Sequence, residues 1–199
     1  MYFIGALEEG FSEVVKENSV VIKSGNKAKS AGFLAKYRDS ILTKNSKVSD
    51  SDVKTLLADL MPIFEFINEK DVFYNFYARY YAKCLINNKS VGEEYKIGFI
   101  NHLKHHCGFG FSTKLRNMNG DVVASKDITR NFCKHLENNG DKSCKFLANI
   151  LTTFVWSYKR GVSFSLPPKL NFLCKEFEKY YTTQFKDRKL SLIADFSIG

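Results

Sequence analysis

The sequence predicts a mainly α chain. Three observations carry that prediction. Apolar residues recur at steps of three and four through most of the 199 positions. Turn formers are few, at 12 Gly and 3 Pro. Only one short run alternates apolar residues with period two, and it lies in the last ten positions. Composition is that of a folded chain, 44% hydrophobic and 26% charged, with aromatics high at 15%. No stretch approaches the roughly 18 apolar residues of a membrane-spanning helix. The opening, MYFIGALEEGFSEVVKEN, lacks a basic lead-in and meets acids early, so no secretory leader is expected. Five Cys, an odd number without a C-x-x-C pair, suit thiols in a reducing compartment and exclude a complete intrachain disulfide framework.

Element by element, the first helix is expected to run to about Asn18, with Phe3, Ile4, Leu7, Phe11, Val14 and Val15 on its apolar side. Lys23 to Ser30 (KSGNKAKS) reads as a mobile loop. A second helix follows from about Ala31 to Lys44, with Phe33, Leu34, Tyr37, Ile41 and Leu42 on one side. After the polar stretch Lys44 to Asp52, rich in N-cap residues, Val53, Leu56, Leu57, Leu60, Met61, Phe64 and Ile67 mark an amphipathic helix. Pro62 inside it should kink it or shift its hydrogen bonding. In DVFYNFYARYYAKCLINN the pairs Val72/Phe73, Phe76/Tyr77, Tyr80/Tyr81 and Cys84/Leu85 recur every four residues. So broad a stripe implies at least two packing neighbours. Phe76 is expected in the core, so Phe76→Ala should cost about 3–5 kcal/mol.

Ser90 and Glu93 form a capping-box pair ahead of a helix carrying Phe99, Ile100, Leu103 and Cys107, and Gly108 is placed to end it. Phe111 to about Leu136 reads as one bent helix or two short ones, because Asn119-Gly120 interrupts the pattern. Residues 144–156 fit either an extended segment or a helix. The last helix follows Pro167-Pro168 and carries Leu170, Leu173, Phe177, Tyr180, Tyr181 and Phe185. At the end, Leu190, Leu192, Ala194, Phe196 and Ile198 alternate as a strand would. One strand needs a partner, from elsewhere in a larger domain or from another protein.

Charge is the other signal. Against 21 Asp and Glu stand 30 Lys and Arg, a formal +9, which attracts acidic partners, nucleic acid or anionic lipid. The excess concentrates between Arg79 and Arg116, with seven bases (Arg79, Lys83, Lys89, Lys96, Lys104, Lys114, Arg116) against Glu93 and Glu94, a local +5. A solvated helix face is the plain alternative to a binding surface. No catalytic, nucleotide-binding or metalloprotease motif is present, and no catalytic residue is assigned. His102, His105, His106 and Cys107 are the nearest approach to a metal site. His102 and His106 share a helix face, but the cluster lacks a second ligand group, so no metal and no cofactor is assigned. The interleaved Phe and Tyr lie at packing intervals rather than on a base-stacking platform.

The segments EKDVFYNFYARYYAKCLINNKSVGEE and GFINHLKHHCGFGFSTKLRNMNGD carry a resemblance. Lys70-Asp71-Val72-Phe73, Phe76-Tyr77, Ala82-Lys83 and Leu85 are followed by Leu103-Lys104, Cys107-Gly108, Thr113, Lys114-Leu115, Met118 and Asp121. Then come Ser125, Asp127-Ile128, Phe132, Trp156, Phe164, Leu166-Pro167, Phe177, Tyr180 and Arg188-Lys189-Leu190, while Phe33 to Tyr37 (FLAKY) fits upstream. In this order, over nearly the whole chain, the residues resemble the cullin family, scaffolds of multisubunit RING-type ubiquitin ligases, and look closest to the type serving F-box-based ligases. The chain departs at Cys84, where the family has Arg, at Ser157, where Pro follows the Trp, and near Leu192, where a Trp is usual.

The resemblance implies an antiparallel helix bundle continued from a cullin-repeat helical stalk. Residues 1–58 would be the end of the third cullin repeat. Residues 59–187 would be the cullin four-helix bundle, and 188–199 the first strand of a truncated α/β domain. It implies a non-catalytic scaffold whose partners are a RING-box protein, a ubiquitin-conjugating enzyme and a substrate adaptor or receptor, in cytoplasm and nucleus, with neither nucleic acid nor membrane among them. Arg79, Lys83, Lys104, Lys114 and Arg116 would receive the acidic tail of the conjugating enzyme. Leu190, Leu192 and Ala194 would pair with a strand of the RING protein. A truncated paralogue that sequesters partners, or a basic helical nucleic-acid-binding protein, are the alternatives.

Overall fold

A computed structural model describes residues 2–26, 28–42, 49–87, 93–107, 109–138, 146–156 and 165–193. Among these the helices are α1 (Tyr2–Lys16), α2 (Ser19–Ser24), α3 (Lys29–Leu42), α4 (Asp50–Glu65), α5 (Lys70–Ile86), α6 (Glu93–Cys107), α7 (Phe109–Asn138) and α8 (Pro168–Gln184). No described residue lies in a strand. The chain divides into two units, residues 1–120 and 121–199, and the boundary falls within α7. Ser90 and Gly108, read as a cap and a stop, lie outside the described residues.

In the first unit both ends of the predicted loop Lys23–Ser30 are helical. Lys23 and Ser24 close α2, Gly25 caps it at φ 61°, and Lys29 opens α3. The left-handed φ is what requires glycine there. Asn18 starts α2: its Oδ1 accepts from the backbone N–H of Val20 and Val21 at 3.2 and 3.1 Å. Its amide donates to Ser30 Oγ at 2.9 Å and to the Val15 carbonyl at 3.1 Å, so one side chain ties α1, α2 and α3 together. Six residues are too few for a periodic signal, and only Val21 is buried.

The buried face of α3 is Ala31, Leu34, Ala35, Arg38, Ile41 and Leu42. Phe33 and Tyr37, expected on that face, are instead half in water at 50% and 49% exposure. The true stripe has Arg38 at its centre, and a guanidinium reads as polar in any hydropathy pattern. Its carbon lies 4.3 Å from the Tyr77 ring centre and 4.8 Å from that of Phe99, a buried cation on two aromatic faces.

Helix α3 packs on α4 and α5, and α4 packs on α6. On α5 the second member of each predicted pair (Phe73, Tyr77, Tyr81 and Leu85) is buried. Phe76 is 38% exposed, so the stripe is centred one residue later than expected and Phe76 is at its edge. Rings then meet along the core: Phe64 is tilted against Phe73 at 4.8 Å, while Phe73 stacks on Tyr77 at 5.7 Å, Tyr77 on Phe99 at 5.5 Å and Tyr74 on Phe111 at 4.3 Å. Pro62 is exposed in the last turn of α4, where the helix tightens through bonds from the N–H of Phe66 to Ile63 and of Ile67 to Phe64. The apolar residues Leu7, Phe11 and Val14 of α1 are exposed, although Phe11 stacks on Phe66 at 6.0 Å.

Helix α7 is continuous over 30 residues, through Asn119-Gly120. Buried residues at 112, 115, 118, 122, 125, 129, 132 and 136 keep one face inward and outweigh the cost of one mid-helix glycine, about 1 kcal/mol. In the second unit, Phe132 and Leu136 of α7 meet Phe177 and Tyr181 of α8, with Phe146, Ile150, Leu173 and Phe185 packed around them.

The ambiguous segment runs along α7 without regular structure over residues 146–152 and closes in a turn at 153–155, and helix side chains bond its backbone at every second residue from Phe146 to Thr152. Cys133 Sγ donates to the Phe146 carbonyl at 3.7 Å. Thr129 Oγ1 donates to the Ala148 carbonyl at 3.2 Å and accepts from its N–H at 3.4 Å. Ser125 Oγ accepts from the Ile150 N–H at 2.7 Å. Asp121 accepts from the N–H and the hydroxyl of Thr152 at 2.8 and 3.0 Å, and from Trp156 Nε1 at 2.8 Å. Each rung moves four residues back on the helix and two forward on the segment. The registers match because four helical residues rise about 6.0 Å and two extended ones about 6.6 Å.

Candidate interaction surface

Of the five predicted tail-binding bases, Arg79 and Lys83 are on α5, four apart and exposed, on the side opposite Phe73, Tyr77 and Tyr81. Lys83 lies in the last turn of α5 and Asp71 in its first, each favourable with the helix dipole. Helix α3 supplies an acid to this surface. Asp39 is half-buried, and burial pushes its carboxyl up from the ordinary range, while the charges of Arg38 and Lys83 pull it back. Lys104, Lys114 and Arg116 belong to α6 and α7. The Lys104 ammonium sits 5.9 Å over the Phe109 ring, and Arg116 Nη2 donates to Asn101 Oδ1 at 2.9 Å. Lys114 is half-buried. Thus Lys83 acts on an acid of α3, whereas Lys104 and Arg116 make contacts on α6 and α7. Lys96, counted in the same charged stretch, is buried.

Among the expected strand-pairing residues, Leu190 packs against the α7–α8 core, and Leu192 is exposed. Residues 188–193 have no regular secondary structure, and Ala194 lies outside the described residues. His102 is exposed, and the side chains of His105, His106 and Cys107 are not among those described. No three His, Cys, Asp or Glu side chains gather as a metal would need among the described residues. No described helix is long and apolar enough to cross a membrane.

The sequence pattern does not single out a second set of surface residues, Lys29, Phe33 and Lys36 on α3, because it places Phe33 inward and Lys29 in a loop. The signal available was their spacing of four and three, which puts them on one helix face.

What these elements define is an α-helical protein whose surfaces are built by neighbouring packed helices. Comparison with known proteins refines this. Residues 2–129 match the family described as the Cullin alpha solenoid domain. The chain is 36% identical to Cullin-1 of Schizosaccharomyces pombe over 199 residues, 99% of this chain and 26% of that protein. It is 31% identical to Cullin-1 of Dictyostelium discoideum over 201 residues, again 99% of this chain and 26% of the relative. Identity to Cullin-4A of Mus musculus is 33% over 202 residues, 96% of this chain and 27% of the relative. The chain belongs to the cullin family, and it spans about a quarter of the length of these relatives.

Proposed function

We propose that this chain acts as a non-catalytic scaffold segment of a multisubunit ubiquitin ligase, holding other subunits at a fixed separation. Such a scaffold raises the effective concentration of one bound partner near another without touching the bond that reacts. The observation that carries the reading is family membership over residues 2–129. Interlocked packing of α3, α4, α5 and α6 supports it, because a spacer works only if its helices do not slide. On this reading residues 1–58 end a cullin repeat, 59–187 form the bundle, and 188–199 begin a domain that meets a RING-box protein. Substrate adaptors would engage regions of the family's chain outside this one, and the F-box-ligase type is the finer assignment.

Within that role, Arg79 and Lys83 are the landing place for an acidic tail of a ubiquitin-conjugating enzyme. Both are exposed on one face, as a long-range electrostatic contact requires. Reversing both to Glu should weaken binding of such a tail about tenfold at low salt, with the difference shrinking as salt rises. Affinity that is unchanged at every ionic strength would remove the assignment. Capture of a RING-box protein by the chain, measured with and without residues 188–199, tests the strand contact: binding that survives the deletion unaltered would place the contact elsewhere.

A further inference from the structure

Helices α3 and α5 leave an open apolar groove of about 230 Å³, walled by the rings of Phe33 and Phe76, with Gly32 at its floor and Lys29 and Lys36 at its rim. The floor is backbone: a Cβ on Gly32 would sit 3.4 Å from Cε2 of Phe76. A cavity of roughly 150 Å³ suffices for benzene, so the groove has room for one Phe, Leu or Met side chain. The two helices repeat one pattern. On α3, Phe33 is flanked by Lys29 and Lys36, and on α5, Phe76 is followed by Arg79 and Lys83, all at steps of three or four. The acid that faces this surface is Asp39, half-buried and close enough to Lys83 to feel its charge. A rim this basic, on a chain of net charge +9, disfavours a second copy of the same chain and favours an anionic occupant.

We infer that this groove takes one bulky apolar side chain of an acidic peptide segment, whose flanking carboxylates meet Lys29 and Lys36. The inference rests on the reading of Arg79 and Lys83 as the landing place of an acidic tail. It adds what charge alone does not provide. Carboxylates sliding over lysines set the encounter rate but no register, whereas a side chain seated between two rings fixes the register.

The test uses the 199-residue chain and two short synthetic peptides of Asp and Glu, one with a central Phe and its twin with Ser at that position. The Phe peptide should bind at least about tenfold more tightly, or 1.4 kcal/mol, by fluorescence anisotropy. Gly32→Leu fills the groove and replaces glycine by a better helix former, so the fold should hold in a thermal melt. In that variant, and separately in Phe33→Ala, the ratio should fall toward one. A ratio near one in the unaltered chain, a ratio that survives both substitutions, or no binding of either peptide overturns the proposal. So does an oligonucleotide whose binding is lost in Gly32→Leu, since the groove would then hold bases. The two readings separate cleanly. If reversing Arg79 and Lys83 changes neither affinity, the tail assignment fails even where the ratio holds. A ratio of one sinks the groove even where the reversal acts.

Discussion

Asp121 is the end rung of the side-chain ladder on α7, and its removal has a calculable cost. Its carboxylate accepts three hydrogen bonds, from the N–H and hydroxyl of Thr152 and from Trp156 Nε1. In Asp121→Ala the two Thr152 donors, on an exposed residue, turn to water and cost about 0.5 kcal/mol each. Trp156 is only 4% exposed, so its indole N–H loses the Asp121 acceptor away from water, at about 1–3 kcal/mol. The total is about 2–4 kcal/mol, which for a chain of this size lowers the melting midpoint by roughly 5–12 °C. Trp156 is the chain's single Trp, so its fluorescence reports the second unit directly. Its emission should shift to the red in Asp121→Ala before the main transition, as the segment lifts from the helix. Asp121→Asn keeps a carbonyl where Oδ2 meets both Thr152 N–H and Trp156 Nε1, and its amide can donate to the Thr152 hydroxyl, so it should lose no more than about 1 kcal/mol. An Ala variant that melts like the unaltered chain, or an Asn variant as damaged as the Ala one, would refute the hydrogen-bond account.

Two further outcomes test the first unit. The Tyr77 hydroxyl is buried without a hydrogen-bond partner among the described residues, and burial pushes its pKa up to about 12, with Arg38 pulling the other way. A raised folded-state value means that stability is fully present below the ordinary tyrosine range near 10 and is lost as pH rises through about 12. Tyr77→Phe should therefore gain about 1 kcal/mol at neutral pH and lack part of the alkaline slope, read from urea midpoints at both pH values. A loss of stability at neutral pH would show that the hydroxyl is satisfied after all. On α5, Phe73→Ala should cost about 3–5 kcal/mol and Phe76→Ala only about 1–2, since Phe73 is fully buried and Phe76 is 38% exposed. Equal losses in the same urea titration would contradict the orientation of the helix.

Much of this fold is legible as spacing. Val53, Leu57, Leu60, Phe64, Phe99, Ile100, Leu103, Phe132 and Phe177 are apolar, recur at helical steps and are buried. Periodicity reports burial because a core accepts one face of a helix. The misses share a cause. Arg38 is buried by stacking its planar guanidinium on Tyr77 and Phe99, a pairing across three helices that no single segment encodes. Phe33 and Tyr37 were drawn inward because hydropathy assigns a ring to the core, whereas Ala31 and Ala35 are what allow α3 to lie close to its neighbours. The segment near residues 146–156 could not be settled alone, because its conformation is dictated by polar groups on another element. Asp121, Ser125, Thr129 and Cys133 do stand four apart in the sequence, but a polar stripe on a helix ordinarily faces water.

The same reasoning explains why the basic surface was only half visible. Counting charge along the chain groups residues by sequence neighbourhood, so Arg79 to Arg116 looked like one patch. Packing groups them by helix face instead. Lys96 goes into the interior, Lys104 and Arg116 are engaged on α6 and α7, Lys83 acts on Asp39 of α3, and Lys29 and Lys36, some 50 residues upstream, line a groove with Phe76 of α5. A partner meets that surface, with its two half-exposed rings, rather than a run of sequence. Charge brings an acidic segment to it over a Debye length of about 8 Å. The rings decide which residue of that segment stays, since apolar burial is short-ranged and indifferent to salt at the concentrations that screen the lysines. Binding at this face should therefore separate into a salt-sensitive part that follows Arg79 and Lys83 and a salt-resistant part that follows Phe33 and Phe76. A lone charged patch has no means of producing the second.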